Sequence, residues 1–309
     1  MQIKKINEAY KSVERMSNLI EIKKRITSIE STIKVTKVMQ MIATAKIAKI
    51  KHTITISDRY NKLSKSILTS YIQNTSNLDK INLFINNAKD NKKKILLILM
   101  SSDKGTCGSI NTNIFKKLSF IVDEYKKYNS IIDVFAVGKK AKKYLELQAK
   151  RLNVNEILQN VDVFSENHNE KTINTAINSF IEKYNNGEYD KILFIYNKFK
   201  NIITCEPFCE QVLPLIENIE NNEKENFTNI SETDSICYSI ISLLIKTKFY
   251  NAYVSNLASI ISSRMNAMDN ATKNGQEIID DLRIKYNKSR QSNITSELSD
   301  IVSGFSAIS

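Results

Sequence analysis

The sequence predicts an α/β protein: a long antiparallel two-helix coiled coil, formed by N- and C-terminal helices, with an inserted Rossmann-like α/β domain. Three observations predict it. No glycine or proline precedes Gly105, and after Pro214 only Gly275 and Gly304 occur. Both ends can therefore hold helix without the cost of ~1 kcal/mol per interior glycine or ~3 kcal/mol per proline. Both ends also place apolar residues at alternating steps of three and four, the period of helices wound on each other. Between them, short continuous apolar runs alternate with amphipathic segments, the pattern of a parallel sheet covered by helices.

The elements follow in order. Residues 1–15 read as an extension ahead of Met16. Residues 16–90 read as the first coil helix, with Leu19, Ile22, Ile26, Ile29 and Ile33 continuing through Thr36, Gln40 and Ala43 to Ile47, Ile50 and Ile54. Asn18 followed by Glu21 has the form of a capping box. Residues 91–215 form the α/β domain, 216–230 a linker and 231–309 the second coil helix, with Ser231 and Asp234 as a weaker start signal. In that helix Tyr250, Val254, Leu257 and Ile261 lead through Met268, Ala271, Ile278 and Leu282. The expected seam is thus Leu19, Ile22, Ile26, Ile29 and Ile33 against Leu257, Ile261, Met268, Ile278 and Leu282. A helix from 231 to 305 at ~1.5 Å per residue is ~110 Å long, far more than a compact domain of this chain length is wide.

In the body, Ile95–Met100 reads as a strand buried on both faces, followed by a turn from Ser101 to Ser109. A helix then places Ile114, Leu118, Ile121, Val122 and Tyr125 on one face. Ile131–Val137 is a second strand, Ala141–Leu152 and Thr172–Tyr184 are helices, and Lys191–Tyr196 is another buried strand. Pro207 and Pro214 place an edge strand at the end of the sheet, where a missing N–H is tolerated.

Composition limits function. Of 309 residues 42% are hydrophobic, enough for packed cores, but no apolar run approaches the ~18 residues of a membrane span. Four cysteines in a long chain without secretory features read as reduced thiols. Cys205 and Cys209 offer two metal ligands, but His52 and His168 lie at unrelated places, so no metal and no cofactor is expected. The net charge of +12 is concentrated between Lys23 and Lys65, where eleven Lys or Arg face Glu30 and Asp58 alone. Such a stripe fits a solvated face, an acidic partner or nucleic acid; the absence of aromatics from Val13 to Arg59 weighs against the last.

The turn from Ser101 to Ser109 follows a strand and precedes a helix, where phosphate-binding loops lie. It matches neither GxGxxG nor GxxxxGK[ST], and a tight strand-to-helix turn is the favoured reading, so no active site is expected here. No GxSxG or HExxH occurs.

Three segments together carry a family resemblance. They are Ile22–Ala43; the loop Ser102-Asp-Lys-Gly-Thr-Cys-Gly-Ser-Ile-Asn-Thr-Asn113; and Ser263-Arg-Met-Asn-Ala-Met-Asp-Asn-Ala-Thr272 with Ser289-Arg-Gln-Ser-Asn-Ile-Thr-Ser-Glu-Leu298. In this order they resemble the gamma subunit of F-type ATP synthase over nearly the whole chain from Met16. Lys104 stands where the family loop usually has arginine, and Ser109 where it usually has a glycine. The resemblance implies a non-catalytic rotor shaft that couples rotation of a proton-driven c-ring to catalysis in alpha and beta. Its partners would be alpha, beta, epsilon (or a delta-type subunit) and the c-ring, with no nucleic acid. It implies alpha/beta contacts at Met39, Lys104, Arg290, Gln291, Thr295 and Glu297, Arg290 and Gln291 meeting the catch region of beta. It also implies a peripheral place on the cytoplasmic face of a bacterial inner membrane, or the matrix face of a mitochondrial one. The polar stretch from Asn287 to Asn293 is expected to interrupt the apolar stripe, which Ile294, Leu298, Ile301 and Phe305 would resume.

Overall fold

The computed structural model describes residues 2–74, 94–152, 154–158, 170–215 and 234–306, with the side chains of the first helix described from 18 onward. The order is α1 (Gln2–Asn74), β1 (Lys94–Met100), α2 (Ile110–Lys126), β2 (Ile131–Val137), α3 (Lys139–Leu152), β3 (Glu156–Leu158), α4 (Glu170–Asn185), β4 (Lys191–Phe199), β5 (Cys205–Leu213) and α5 (Asp234–Ser306). The chain divides into two compact units. One comprises Met1–Ile42 with Met265–Ser309, the other Ala43–Arg264. The expected linker of 216–230, the stretch 75–90 and the side chains of the extension 1–15 lie outside the described residues.

In the larger unit the five-stranded sheet has the order β3-β2-β1-β4-β5. Neighbours are parallel except β5, which runs antiparallel to β4. Side-chain alternation sends successive residues of each strand to opposite faces, which is why β1 reads as a continuous apolar run. Leu96, Ile98 and Met100 pack with Ile177 and Phe180 of α4, Leu68 and Tyr71 of α1, and Leu244, Phe249 and Tyr253 of α5. Ile95, Leu97 and Leu99 pack with Ile114, Leu118 and Val122 of α2 and with Ala141 and Leu145 of α3. Pro207 occupies the edge strand β5 opposite Asn197, as its missing donor requires.

Among the described residues of this unit, Asp133, Lys248 and Arg264 are buried charged side chains, and Asp133 is the most deeply placed. Asp133 on β2 is fully buried and accepts from Tyr189 Oη at 2.9 Å and Asn155 Nδ2 at 3.1 Å, with Lys94 Nζ at 3.1 Å. Lys94 Nζ also stands 4.9 Å from the centroid of the Tyr189 ring. The carboxylate is thereby paired and hydrogen-bonded, the condition under which a buried charge is tolerated.

In the smaller unit α1 and α5 pair antiparallel, because contacts run in opposite directions: Ile33 lies against Gly275, Thr36 against Thr272 and Gln40 against Asp269. Side chains at 19, 22, 26, 29, 33, 36 and 40 of α1 are partly buried while most between them are exposed, an unbroken three–four alternation. On α5 the seam runs through Met268, Thr272, Gly275, Ile279 and Leu282. Three expectations are corrected here. Ile278 is 46% exposed and Ile279, at 2%, takes the seam place. The polar Thr272 and the bare Gly275 occupy seam positions, so following apolar residues alone slips the reading by one residue. Leu257 and Ile261 fall in the larger unit, where Leu257 packs against the body core. Asn18 lies inside α1 and caps nothing; a capping residue acts only where the chain upstream has left the helix.

Candidate functional site

Two constructions in this molecule go beyond generic packing, one in each unit. The first is the loop 101–109 with the stretch of α5 that faces it. Ser101 Oγ accepts from the Ala141 N–H at 2.7 Å, and Asp103 Oδ1 accepts from the Lys139 N–H at 3.0 Å. Asn111 donates to Ser102 Oγ at 2.8 Å and to Cys107 Sγ at 3.2 Å, and its Oδ1 accepts from the Ser102 N–H. Gly138, at φ +92°, closes the assembly: a Cβ there would lie 2.5 Å from the Ser101 carbonyl oxygen. The loop's own polar groups are consumed in holding its shape.

In a doubly wound sheet, ligands bind beyond the strand C-termini where strand order reverses, here between β1 and β4. In this chain α5 meets that place with polar side chains. Asn256 Oδ1 accepts from the backbone N–H and the side-chain amide of Asn197, at 3.1 and 3.0 Å. Ser255 Oγ accepts from the Phe199 N–H at 2.9 Å, and Ser259 Oγ donates to the Asn197 carbonyl at 3.0 Å. Ser262 donates to the Ile202 carbonyl, and Ser263 Oγ donates to the Cys107 carbonyl at 2.7 Å. Buried backbone groups must find partners, and here the chain's own helix α5 supplies them.

The second construction is the pair of polar layers in the coil. Thr36 Oγ1 and Thr272 Oγ1 meet at 2.8 Å, and Gln40 Nε2 donates to Asp269 Oδ1 at 2.9 Å. Lys273 Nζ lies 2.7 Å from Asp269 Oδ2. Its hydrogen bond is the largest influence and, with desolvation next and opposing it and the Lys273 charge and Gln40 amide adding to it, holds the Asp269 carboxyl below the usual carboxylate range. Further along, Arg283 reaches Glu30 at 3.1 Å. Polar pairs on a coil seam fix register, since sliding the helices by a turn leaves each group unmatched.

Two thiols, those of Cys205 and Cys209, are held in the protonated form. Burial pushes the Cys209 thiol up to about 11 and also raises Cys205, against a hydrogen bond to Ser259. The thiolate is the reactive form, and it is suppressed at both. Burial and then the Glu210 carboxylate likewise raise the Tyr196 hydroxyl, which stays protonated and donates to Glu210 Oε2 at 3.0 Å.

With this geometry in hand, three comparisons are decisive. A family model described as ATP synthase matches residues 18–308. The ATP synthase gamma chain of Buchnera aphidicola subsp. Schizaphis graminum is 33% identical over 95% of this chain and 99% of its own length. That of Pelagibacter ubique is 33% identical over 94% of this chain and 99% of its own. The chain belongs to the ATP synthase gamma chain family. A chain in a structure of the Euglena gracilis mitochondrial ATP synthase, comprising OSCP, F1 and c-ring, has the same fold at a TM-score of 0.64 and 15% identity, covering 94% of this chain and 95% of that one. As a gamma chain it is a non-catalytic, central-stalk subunit of an F-type ATP synthase. No helix among the described residues is long and apolar enough to cross a membrane.

The expected contact residues of this gamma chain are dispersed. Arg290, Gln291, Thr295 and Glu297 are exposed on α5, Met39 is half-buried on α1, and Lys104 is exposed on the loop of the body. Thr295 Oγ1 donates back to the Gln291 carbonyl at 2.9 Å. The expected resumption of the apolar stripe is corrected: Ile294, Leu298, Ile301 and Phe305 are 48–78% exposed. The seam period instead continues through half-buried Tyr286, Ser289, Asn293 and Ser296. Sequence reasoning missed Asn256, Ser259 and Ser262 as docking residues and Thr272 and Gly275 as seam residues. Small polar residues at three- and four-residue steps inside an apolar helix were the available signal for the first group.

Proposed function

We propose that this gamma chain transmits torque between a proton-driven c-ring and the alpha and beta subunits, with the paired helices of 1–42 and 265–309 as the working contact. The observation that carries this is the coil itself. Its register is pinned by Thr36–Thr272 and Gln40–Asp269, while its outward side chains, including Arg290, Gln291 and Glu297, are exposed. An element that biases catalytic states must hold its own shape and interact differently with each partner, because only differential contact energy shifts their equilibria. The c-ring, with epsilon or a delta-type subunit, is assigned to the body. The eleven basic residues from Lys23 to Lys65 are assigned to acidic segments of beta. Met39 and Lys104 are further contacts with alpha and beta. The cytoplasmic face of a bacterial inner membrane is the assigned location, in keeping with the bacterial relatives, with the matrix face of a mitochondrial membrane as the second reading.

Arg290 tests the contact. Its guanidinium can bind a partner carboxylate bidentately, which lysine cannot. Arg290→Ala should leave subunit ratios in the purified complex unchanged and lower both ATPase rate and ATP-driven proton pumping. Loss of the whole complex, or two unchanged rates, contradicts the assignment.

A further inference from the structure

The body contains a cleft that neither the packing nor the transmission role explains. It lies among α1, α4 and α5, encloses about 320 Å³, and is floored by Ile56 and Ile177 with the rings of Tyr60 and Tyr250 at its sides. That volume is at the lower end of small-ligand pockets, ~300–1,000 Å³. Two polar residues of its lining are noteworthy, Ser57 and Lys246. Ser57, 3% exposed, has an Oγ with no hydrogen-bond partner among the described residues. Among the described residues of the lining Lys246 alone is charged, and no ion pair is formed by it there.

We infer that this cleft is a binding site for a small amphipathic monoanion: an apolar, preferably aromatic body bearing one carboxylate or sulfonate. The chemistry of the lining selects that class. The unpaired ammonium of Lys246, alone in charge among the described lining residues, matches one negative charge. Polyphosphates call for several donors and are excluded by the apolar floor. The two tyrosine rings offer faces for stacking an aromatic body at little entropic cost. The site is separate from the coil contacts.

The test is calorimetric titration of the full-length chain with 2-naphthoate, and with the neutral 2-naphthylmethanol as its uncharged counterpart. Saturable one-to-one binding of naphthoate is expected, with the neutral analogue several-fold weaker. Lys246→Gln should weaken naphthoate about tenfold, as loss of a charge-assisted hydrogen bond does. Asn174→Trp, on the exposed rim of the cleft, should abolish binding while the circular dichroism spectrum and urea midpoint stay unchanged. Absence of saturable binding, equal affinity for the neutral analogue, or an unaltered affinity in either variant overturns the proposal. Binding to the free chain that vanishes in the assembled complex would give the cleft to a side chain of a neighbouring subunit, and overturns it as well.

Discussion

Gly275 is the position where the coil can be tested by sign. A Cβ at this residue would lie 2.8 Å from Ile33 Cγ1 and 3.1 Å from Cδ1, with Ile29 Cγ2 at 3.8 Å. Comfortable carbon–carbon contacts are ~3.5–4.0 Å, so the methyl forces Ile33 or the helix axis to move by more than half an ångström. Two effects compete. Replacing an interior helical glycine by alanine stabilises by ~1 kcal/mol through propensity. Overpacking a well-packed contact costs ~1–3 kcal/mol. Gly275→Ala should therefore be neutral to ~2 kcal/mol destabilising in the native background. In an Ile33→Ala background the obstructing atoms are gone, and the same change should stabilise by ~1 kcal/mol. Urea unfolding of the four full-length chains, followed by far-UV circular dichroism, gives the double-mutant cycle, which isolates the Gly275–Ile33 term. An equal change in both backgrounds, of either sign, would refute the close approach.

Three further outcomes follow from the same geometry. Asp133→Ala leaves the Lys94 ammonium and the Tyr189 hydroxyl without their acceptor, and thermal unfolding should show a loss of about 3 kcal/mol, the lower end for a broken buried pair because Lys94 is one-third exposed. Asn256→Ala strands two buried donors of Asn197, each costing ~1–3 kcal/mol, so amide exchange across the end of β4 should accelerate while the coil layers stay protected. Asp269 has a lowered folded-state pKa. Its contribution is present above the ordinary carboxyl range near 4 and is lost as pH falls through the folded value. The stability gap between native chain and Asp269→Asn should be flat from neutral pH to about 5 and close on further acidification; a gap that widens in acid contradicts the pairing.

The body was legible in the sequence because its signals are strong and local. Ile95–Met100 is apolar throughout since both faces of β1 are covered, and β2 was bounded at its observed ends. The three-residue β3 was not foreseen, being too short for any periodicity to register. The coil's existence was legible from its lack of Gly and Pro and its three–four steps, but its C-terminal register was not. Thr272 and Gly275 hold seam places for reasons that appear only when the opposing helix is present: one is bonded to Thr36, the other makes room for Ile33. The contact residues were named by resemblance alone. Exposure of Arg290 or Glu297 is the ordinary state of such residues, so nothing in their own pattern marks them.

The central claim is that this chain turns as a shaft between membrane ring and catalytic subunits. The most direct measurement is single-molecule observation of the assembled complex, immobilised through its alpha and beta subunits, with a probe attached to the body of this chain. On addition of ATP the account predicts sustained rotation in one direction, stopping when the chain is covalently tied to a beta subunit, with hydrolysis stopping too. A stationary probe beside undiminished ATP hydrolysis, or hydrolysis that survives the tether at full rate, would contradict it.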